Sequence, residues 1–305
     1  MLRKILALTL LAVILAGCAP IHKSTSTATL VTVDDGLGRT VKLSGPAQRI
    51  VSMAPSNTEI LFAIGAGSQV VGRDDYSDYP DAAKALPKVG GTDKYNDEQI
   101  VALHPDLVLA AGINTAEQVK ALESLGLTVY YLKNPATLED MYKNLEIVAQ
   151  LTGHESDAEK SITSLKTRVA AVDSKIATAT TRPSVFYEID ATDPAKPYTA
   201  GPGTFIDLLI QRAGGTNIAG TLKDQYPQLS LEQVVALNPS FILLGDAAYG
   251  ITPDAVQARP GWGSLSAVKN GKVVAVDDNL FSRPSPRLID GLELLAKILH
   301  PELFK

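Results

Sequence analysis

Six residues with aromatic, hydroxyl or guanidinium side chains stand where the chain is expected to turn after a strand or to begin a helix. Aromatic faces contact the apolar surface of a ligand, while hydroxyl and guanidinium groups bind its polar edge. Open α/β sheets hold their ligands at such positions. A tyrosine beside a proline can also simply pack its own loop, but these residues recur in both halves of the chain. The predicted ligand-binding residues are Ser56, Tyr76, Tyr198, Tyr226, Phe281 and Arg283.

The chain lacks the sequence patterns of the common hydrolases. It contains neither a GxSxG elbow nor an HExxH pair, and Cys18 is the only cysteine. The histidines show no metal-ligand spacing; they are His22, His104, His154 and His300. We therefore predict a binding protein with no catalytic residue, no cofactor and no metal site. A hydrolase and a purely structural protein are the alternatives from other functional classes.

The N-terminus has the layout of a secretory signal peptide. Two basic residues precede an apolar run, Ile5–Ala16, which is too short to span a bilayer as a helix. The sequence Leu15-Ala16-Gly17-Cys18 resembles the bacterial lipobox, which implies cleavage before Cys18 and acylation of that residue. An ordinary signal with a stray thiol and an uncleaved signal anchor are the alternatives. We predict a signal peptide at 1–17 and a lipidated flexible tether at 18–29.

The charge balance argues against nucleic acid as a partner. The chain has 28 Lys and Arg against 33 Asp and Glu, a formal net charge of −5 at pH 7. Removal of the predicted signal peptide takes away Arg3 and Lys4 and makes the balance more negative. An acidic surface repels a phosphate backbone. We predict no nucleic-acid binding and a monomeric mature chain.

An internal repeat divides the chain. Residues 96–109 and 230–243 are near copies, each with capping-box spacing, a short helical stretch that ends at a proline, and then an apolar run typical of a strand covered on both faces. The repeat predicts two related, Rossmann-like α/β lobes with mainly parallel sheets. We assign the N-terminal lobe to 30–137 and the C-terminal lobe to 183–305.

The segment between the lobes, 138–182, has helical periodicity. From Glu155 to about Ala177, apolar residues recur at intervals of three and four; they are Ile162, Leu165, Val169, Val172 and Ile176. This pattern predicts one long backbone helix that joins the lobes and limits hinge motion. A coiled-coil or oligomerisation role is the alternative for a stripe of this kind.

Two stretches resemble the signatures of a known family. The first runs from Arg49 to Leu61 and continues in Gly65-Ala66-Gly67, and the second is Arg259-Pro260-Gly261-Trp262. They are similar to the opening and late signatures of the helical-backbone, or class III, periplasmic binding proteins for iron complexes and vitamin B12. The resemblance extends from about Gln48 to Lys305. It implies a shallow cleft between two lobes that are joined by a long helix.

Within this family, the local similarity is greatest to the vitamin B12-binding branch. The Tyr76 and Tyr226 segments stand where that branch carries aromatic residues on opposite walls, and the Arg283 segment matches its late ligand-contacting loop. Thr92 and Tyr226 replace tryptophans of that branch. The resemblance implies a corrinoid ligand similar to cobalamin; a ferric siderophore or haem is the alternative within the family, and an exported lipoprotein hydrolase is a distant one.

The resemblance also implies the partners. Family members deliver their ligand to a permease dimer that is powered by separate ATPase subunits of an ABC importer. Glu98 and Glu232 match, residue by residue, the docking glutamates of the two lobes. The favourable position of a carboxylate in the first turn of a helix is the simpler explanation for both. The expected location is outside the cytoplasmic membrane, lipid-anchored in the periplasm or on the outer face of the plasma membrane.

Overall fold

The computed structural model describes residues 30–92 and 94–305. The predicted signal peptide, the tether and the predicted lipidation at Cys18 lie outside these residues. In the described part of the chain, no helix combines the length and the apolar composition needed to cross a bilayer.

The N-terminal lobe is built on a four-stranded parallel sheet. Its elements, in chain order, are β1 (Val31–Asp34), β2 (Thr40–Leu43), β3 (Ile50–Ser52), α1 (Pro55–Ala63), β4 (Val70–Arg73), β5 (Gly90–Gly91), β6 (Lys94–Tyr95), α2 (Asp97–Ala102), β7 (Leu107–Ala111), α3 (Ala116–Ser124) and β8 (Val129–Leu132). The sheet order is β4-β3-β7-β8, while β1-β2 and β5-β6 form separate antiparallel hairpins. Strands β3 and β7 are buried throughout, which explains their continuous apolar sequences.

Two helices follow, α4 (Leu138–Thr152) and α5 (Glu155–Ile176). Thr137 and Asp140 form a capping box at the start of α4, and Gly153 ends this helix in the left-handed conformation. The predicted stripe of α5 is buried. This helix packs against α4 and against α11 of the C-terminal lobe. Its 22 residues span about 33 Å, enough to run along both lobes.

The C-terminal lobe has a five-stranded, mainly parallel sheet. Its elements are β9 (Ser184–Asp190), β10 (Tyr198–Thr199), α6 (Phe205–Arg212), β11 (Thr216–Asn217), α7 (Leu231–Leu237), β12 (Phe241–Leu244), α8 (Pro253–Gln257), α9 (Ser266–Lys269), β13 (Val273–Ala275), α10 (Asn279–Ser282) and α11 (Leu288–Leu299). The sheet order is β10-β9-β12-β13, with β11 beside the start of β9; only β10 is antiparallel. The predicted α/β fold with two lobes and a long backbone helix is confirmed.

The repeated segments form equivalent helices. Asn96 caps α2 and Ser230 caps α7, and in α7 the Ser230 backbone N–H also donates to the Gln233 side chain, which completes a capping box. Each repeat then places a residue with positive φ directly before its proline, His104 at 46° and Asn238 at 40°. Because a residue before proline avoids the right-handed helical region, both helices end at this point.

Candidate functional site

One contact between charged side chains joins residues that follow strands of the two different sheets. In the N-terminal lobe, β3 leads into α1, which carries Glu59. In the C-terminal lobe, β13 leads into the segment that carries Arg283. The Arg283 Nη1 atom lies 3.0 Å from the Glu59 Oε1 atom. Since the two residues follow strands of different sheets, the predicted cleft between the lobes is expected beside this contact, where open α/β sheets place ligands.

Tyr76 forms part of the N-terminal wall of the cleft, in the loop after β4. Its backbone N–H donates to Asp74 Oδ1 over 2.8 Å, and its side chain is 53 % exposed. The ring lies directly on Gly91, where a Cβ atom would approach it to 2.8 Å. Burial raises the pKa of the Asp74 carboxyl, against the opposing effect of the bonds from Ser77 and Tyr76. The turn thus fixes the backbone of Tyr76 and leaves its ring accessible.

The C-terminal wall carries Tyr198 and Tyr226 on two paired segments. The Thr199 N–H donates to the Pro227 carbonyl over 2.9 Å, and the Gly201 N–H donates to the Gln225 carbonyl over 2.7 Å. These bonds pair the two segments that carry Tyr198 and Tyr226, whose exposed fractions are 43 % and 60 %. Exposed aromatic rings therefore occur in both lobes.

The segment 283–287 bridges the lobes. Arg283 also contacts the N-terminal lobe at Asp78 Oδ1, 2.7 Å, and at the Tyr76 carbonyl, 3.2 Å. The guanidinium carbon of Arg287 lies 4.2 Å from the centre of the Tyr79 ring. The Arg287 Nη2 atom also lies 3.3 Å from Asp277 Oδ2, so Arg287 forms an ion pair within its own lobe as well.

The predicted ligand-binding residues differ in exposure. The three tyrosines have exposed side chains, whereas Ser56 is almost buried at the start of α1. Arg283 is held by Glu59 and by the Tyr76 loop. The prediction for Phe281 needs correction, because this side chain is fully buried and packs against the Tyr187 ring at a centroid distance of 5.7 Å. Phe281 belongs to the core of the C-terminal lobe.

Glu59 is a residue of this region that no sequence motif singles out. Its carboxylate interrupts the buried run of α1, between Thr58 and Ile60, and is only 3 % exposed. A charge in a buried helix requires a partner, and that requirement was a usable signal. Its partner Arg283 is 224 residues away in sequence. No local sequence pattern reveals this pairing.

A second group of buried charges lies at the carboxyl ends of β9 and β12. Glu188 is fully buried and receives both terminal nitrogens of Arg259, at 2.6 and 2.8 Å. Asp246 is nearly buried beside it and accepts a bond from the Ala191 N–H over 3.2 Å. A cavity of about 510 Å³ opens next to Asp246, between the ends of the two strands.

The two predicted docking acids are exposed and occupy equivalent positions. Glu98 lies in the first turn of α2 and Glu232 in the first turn of α7. Hydrogen bonds from the Glu232 backbone N–H and from the Ser230 side chain lower the pKa of Glu232, so it is ionised at neutral pH. Val235 and Leu237 of α7 are exposed near Glu232.

Within residues 30–92 and 94–305, no three His, Cys, Asp or Glu side chains converge as a metal site would require. The described residues offer exposed tyrosines in both lobes and a contact of charged side chains between the lobes.

Comparison with known proteins gives consistent matches. The periplasmic binding protein family model matches residues 50–280. The ABC transporter substrate-binding lipoprotein YvrC of Bacillus subtilis is 35% identical over 311 residues, which cover 98% of this chain and 97% of that protein. The crystal structure of the periplasmic vitamin B12-binding protein BtuF of Vibrio cholerae has a TM-score of 0.71 and 30% identity, covering 85% of this chain and 99% of that one. The periplasmic haem-binding protein RhuT from Roseiflexus has a TM-score of 0.76 and 28% identity, with coverages of 84% and 99%. The chain belongs to the periplasmic binding protein family.

Proposed function

We propose that this protein is the extracytoplasmic solute-binding component of an ABC importer and that a corrinoid similar to cobalamin is its ligand. The observation that carries the proposal is the set of exposed tyrosines in the two lobes, Tyr76 in the N-terminal lobe and Tyr198 with Tyr226 in the C-terminal lobe. A broad, rigid ligand is bound well by aromatic faces on both of its sides.

The family consists of transport binding proteins and not of enzymes. The exported hydrolase that the sequence left open is thereby excluded. Stoichiometric binding without turnover is the expected behaviour of the cleft.

The charges around the cleft favour a corrinoid over haem. A corrin ring has neutral amide groups along its edge, whereas haem carries two carboxylates that call for basic partners. Both arginines near the cleft are engaged with acids: Arg283 with Glu59 and Asp78, and Arg287 with Glu59 and Asp277. Their positive charge is therefore largely neutralised, which suits an uncharged edge.

Haem is the second candidate because of the likeness to RhuT, a haem-binding protein. Tyrosine can serve as a haem-iron ligand, and the cleft presents three. A ferric siderophore is the third candidate, supported by the resemblance of the sequence to iron-complex binding proteins.

The deciding experiment is calorimetry of the purified protein with cobalamin, cobinamide, haem and a ferric siderophore. We expect binding of both corrinoids, weakened by about 1 to 3 kcal/mol in Tyr76→Ala and in Tyr226→Ala, because each loses an aromatic contact. Leu125→Ala is the matched control, since it removes an exposed apolar side chain near the opposite edge of the N-terminal sheet. Tight binding of haem or the siderophore with no heat from either corrinoid would refute the ligand assignment.

Lipid anchoring at Cys18 completes the proposal. It is supported by the lipobox resemblance and by the likeness to a substrate-binding lipoprotein. We expect the wild-type protein to partition into detergent and Cys18→Ser to remain in the aqueous phase, because attached acyl chains hold a protein at a bilayer and the change removes their acceptor. Equal partitioning of the two proteins, with the signal peptide cleaved in both, would contradict the anchor.

A further inference from the structure

Glu59 joins the two lobes through three contacts. Its Oε1 atom lies 3.0 Å from Arg283 Nη1 and 3.2 Å from Arg287 Nη1, and its Oε2 atom accepts the Ser285 hydroxyl over 2.5 Å. Among the described residues, every side-chain hydrogen bond to this carboxylate comes from 283–287. The N-terminal lobe contributes the acid, and the C-terminal lobe contributes all three donors.

The burial of Glu59 makes these contacts consequential. A carboxylate that is 3 % exposed has lost most of its hydration and is tolerated only with charged or hydrogen-bonding partners. If the lobes separated at this point, both Glu59 and the two guanidinium groups would lose those partners at once. The relative position of the lobes is therefore tied to the three contacts.

The arginines that bind Glu59 also bind the loop that carries Tyr76, a residue of the proposed ligand site. The guanidinium of Arg283 that binds Glu59 also binds Asp78 and the carbonyl of Tyr76. Arg287, which binds the same carboxylate, stacks on Tyr79 of that loop. Glu59 thus orients two arginines that hold the loop bearing Tyr76 against the C-terminal lobe.

We infer that Glu59 is a positioning residue that sets the spacing of the two cleft walls by holding Arg283 and Arg287 across the lobe junction. This inference deepens the proposed function, on which its ligand-binding consequence rests. The lobe spacing itself can be measured without any ligand.

The test compares Glu59→Gln with Glu188→Gln. Glu188 is a matched control because it is equally buried and paired with an arginine, but both partners lie in the C-terminal lobe. Spin labels are placed at the exposed positions Lys120 and Lys269, on α3 and α9 of the two lobes, in the full chain with Cys18→Ser. Pulsed EPR then gives the distribution of inter-lobe distances, and calorimetry gives cobinamide affinity.

We expect Glu59→Gln to shift and broaden the distance distribution and to lower cobinamide affinity about tenfold, the cost of one charge-assisted hydrogen bond. Glu188→Gln should leave both quantities near those of the parent. Ser285→Ala, which removes one donor only, should shift the distances in the same direction by less, and it serves as the test if Glu59→Gln does not fold.

An unchanged distance distribution in Glu59→Gln, or the same broadening in Glu188→Gln, would overturn the inference. If no corrinoid, haem or siderophore binds the parent protein, the proposed function fails, but the distances still decide the role of Glu59.

Discussion

At the residue scale, the sequence indicates which residues have side chains suited to ligand binding, but it does not show whether those side chains point outwards or into the core. Tyr76 and Tyr226 reach the surface because they lie in turns fixed by backbone hydrogen bonds, while Phe281 sits in the one turn of α10 and points into the core. Arg283 was recognised as a cleft residue, but its contacts with Glu59 come from another lobe. The residues next to Phe281 and Arg283 in sequence do not show these contacts, because tertiary packing decides the direction in which each side chain points.

Asp246 leads to a prediction on pH-dependent stability. Burial, the larger cause, and the charge of Glu188 together raise the pKa of Asp246 to about 6. The ordinary value is about 3.9, so the folded state holds this proton more tightly than the unfolded state does. Protonated Asp246 therefore adds to the free energy of unfolding. This contribution, at most about 3 kcal/mol, is complete below about pH 4 and is lost as the pH rises through about 6.

We therefore expect Asp246→Asn to be more stable than the wild type at neutral pH and to show a flatter stability profile between about pH 4 and pH 7. The amide oxygen can still accept from the Ala191 N–H, and the amide nitrogen can face Glu188. Urea unfolding across this pH range measures the effect, with the exposed Asp224→Asn as control. A pH slope identical to that of the wild type would contradict the prediction.

At the element scale, periodic segments were predictable and short ones were not. The α5 stripe and the repeated helices α2 and α7 carry their own signals, which are apolar spacing, caps and a proline stop. The two-residue strands β5, β6, β10 and β11 exist only through their partners. The pairing of β10 with β9, for example, has no counterpart in local sequence.

The longest helix shows how an element can be predicted while its environment cannot. The buried stripe of α5 was evident from spacing. Its ion pairs were not, since Arg168 binds Asp290 and Glu293 of α11, and Asp173 binds Arg212 of α6. Surface pairs of this kind contribute about 0.2 to 1 kcal/mol each, so apolar packing is the main attachment of α5 to the C-terminal lobe.

At the scale of the whole molecule, the repeat predicted two lobes but not the way they meet. Glu59 and the segment 283–287 come from opposite ends of the described chain, and no periodicity links them. Helix α5 connects the two lobes, and the contacts between Glu59 and the segment 283–287 hold them together at a second place. Cleft width consequently depends on contacts that only the folded chain brings together.

The arrangement of Glu98 and Glu232 leads to a prediction for the assembled importer. Both acids are exposed in the first turns of equivalent helices, one on each lobe. Such a pair suits a two-fold permease dimer with one basic patch for each lobe. We expect Glu98→Gln with Glu232→Gln to keep near-normal ligand affinity and to impair uptake, increasingly so at raised salt, because interface charges govern docking.

The measurement pairs calorimetry of the isolated double variant with uptake through the reconstituted importer. Glu117→Gln with Glu155→Gln is the matched control, since these acids are also exposed in the first turns of helices, α3 and α5, and the same small loss of helix-dipole stabilisation applies. The control should transport normally. Normal uptake by the Glu98 and Glu232 variant would remove the docking role, and a large fall in its ligand affinity would place these acids in ligand binding instead.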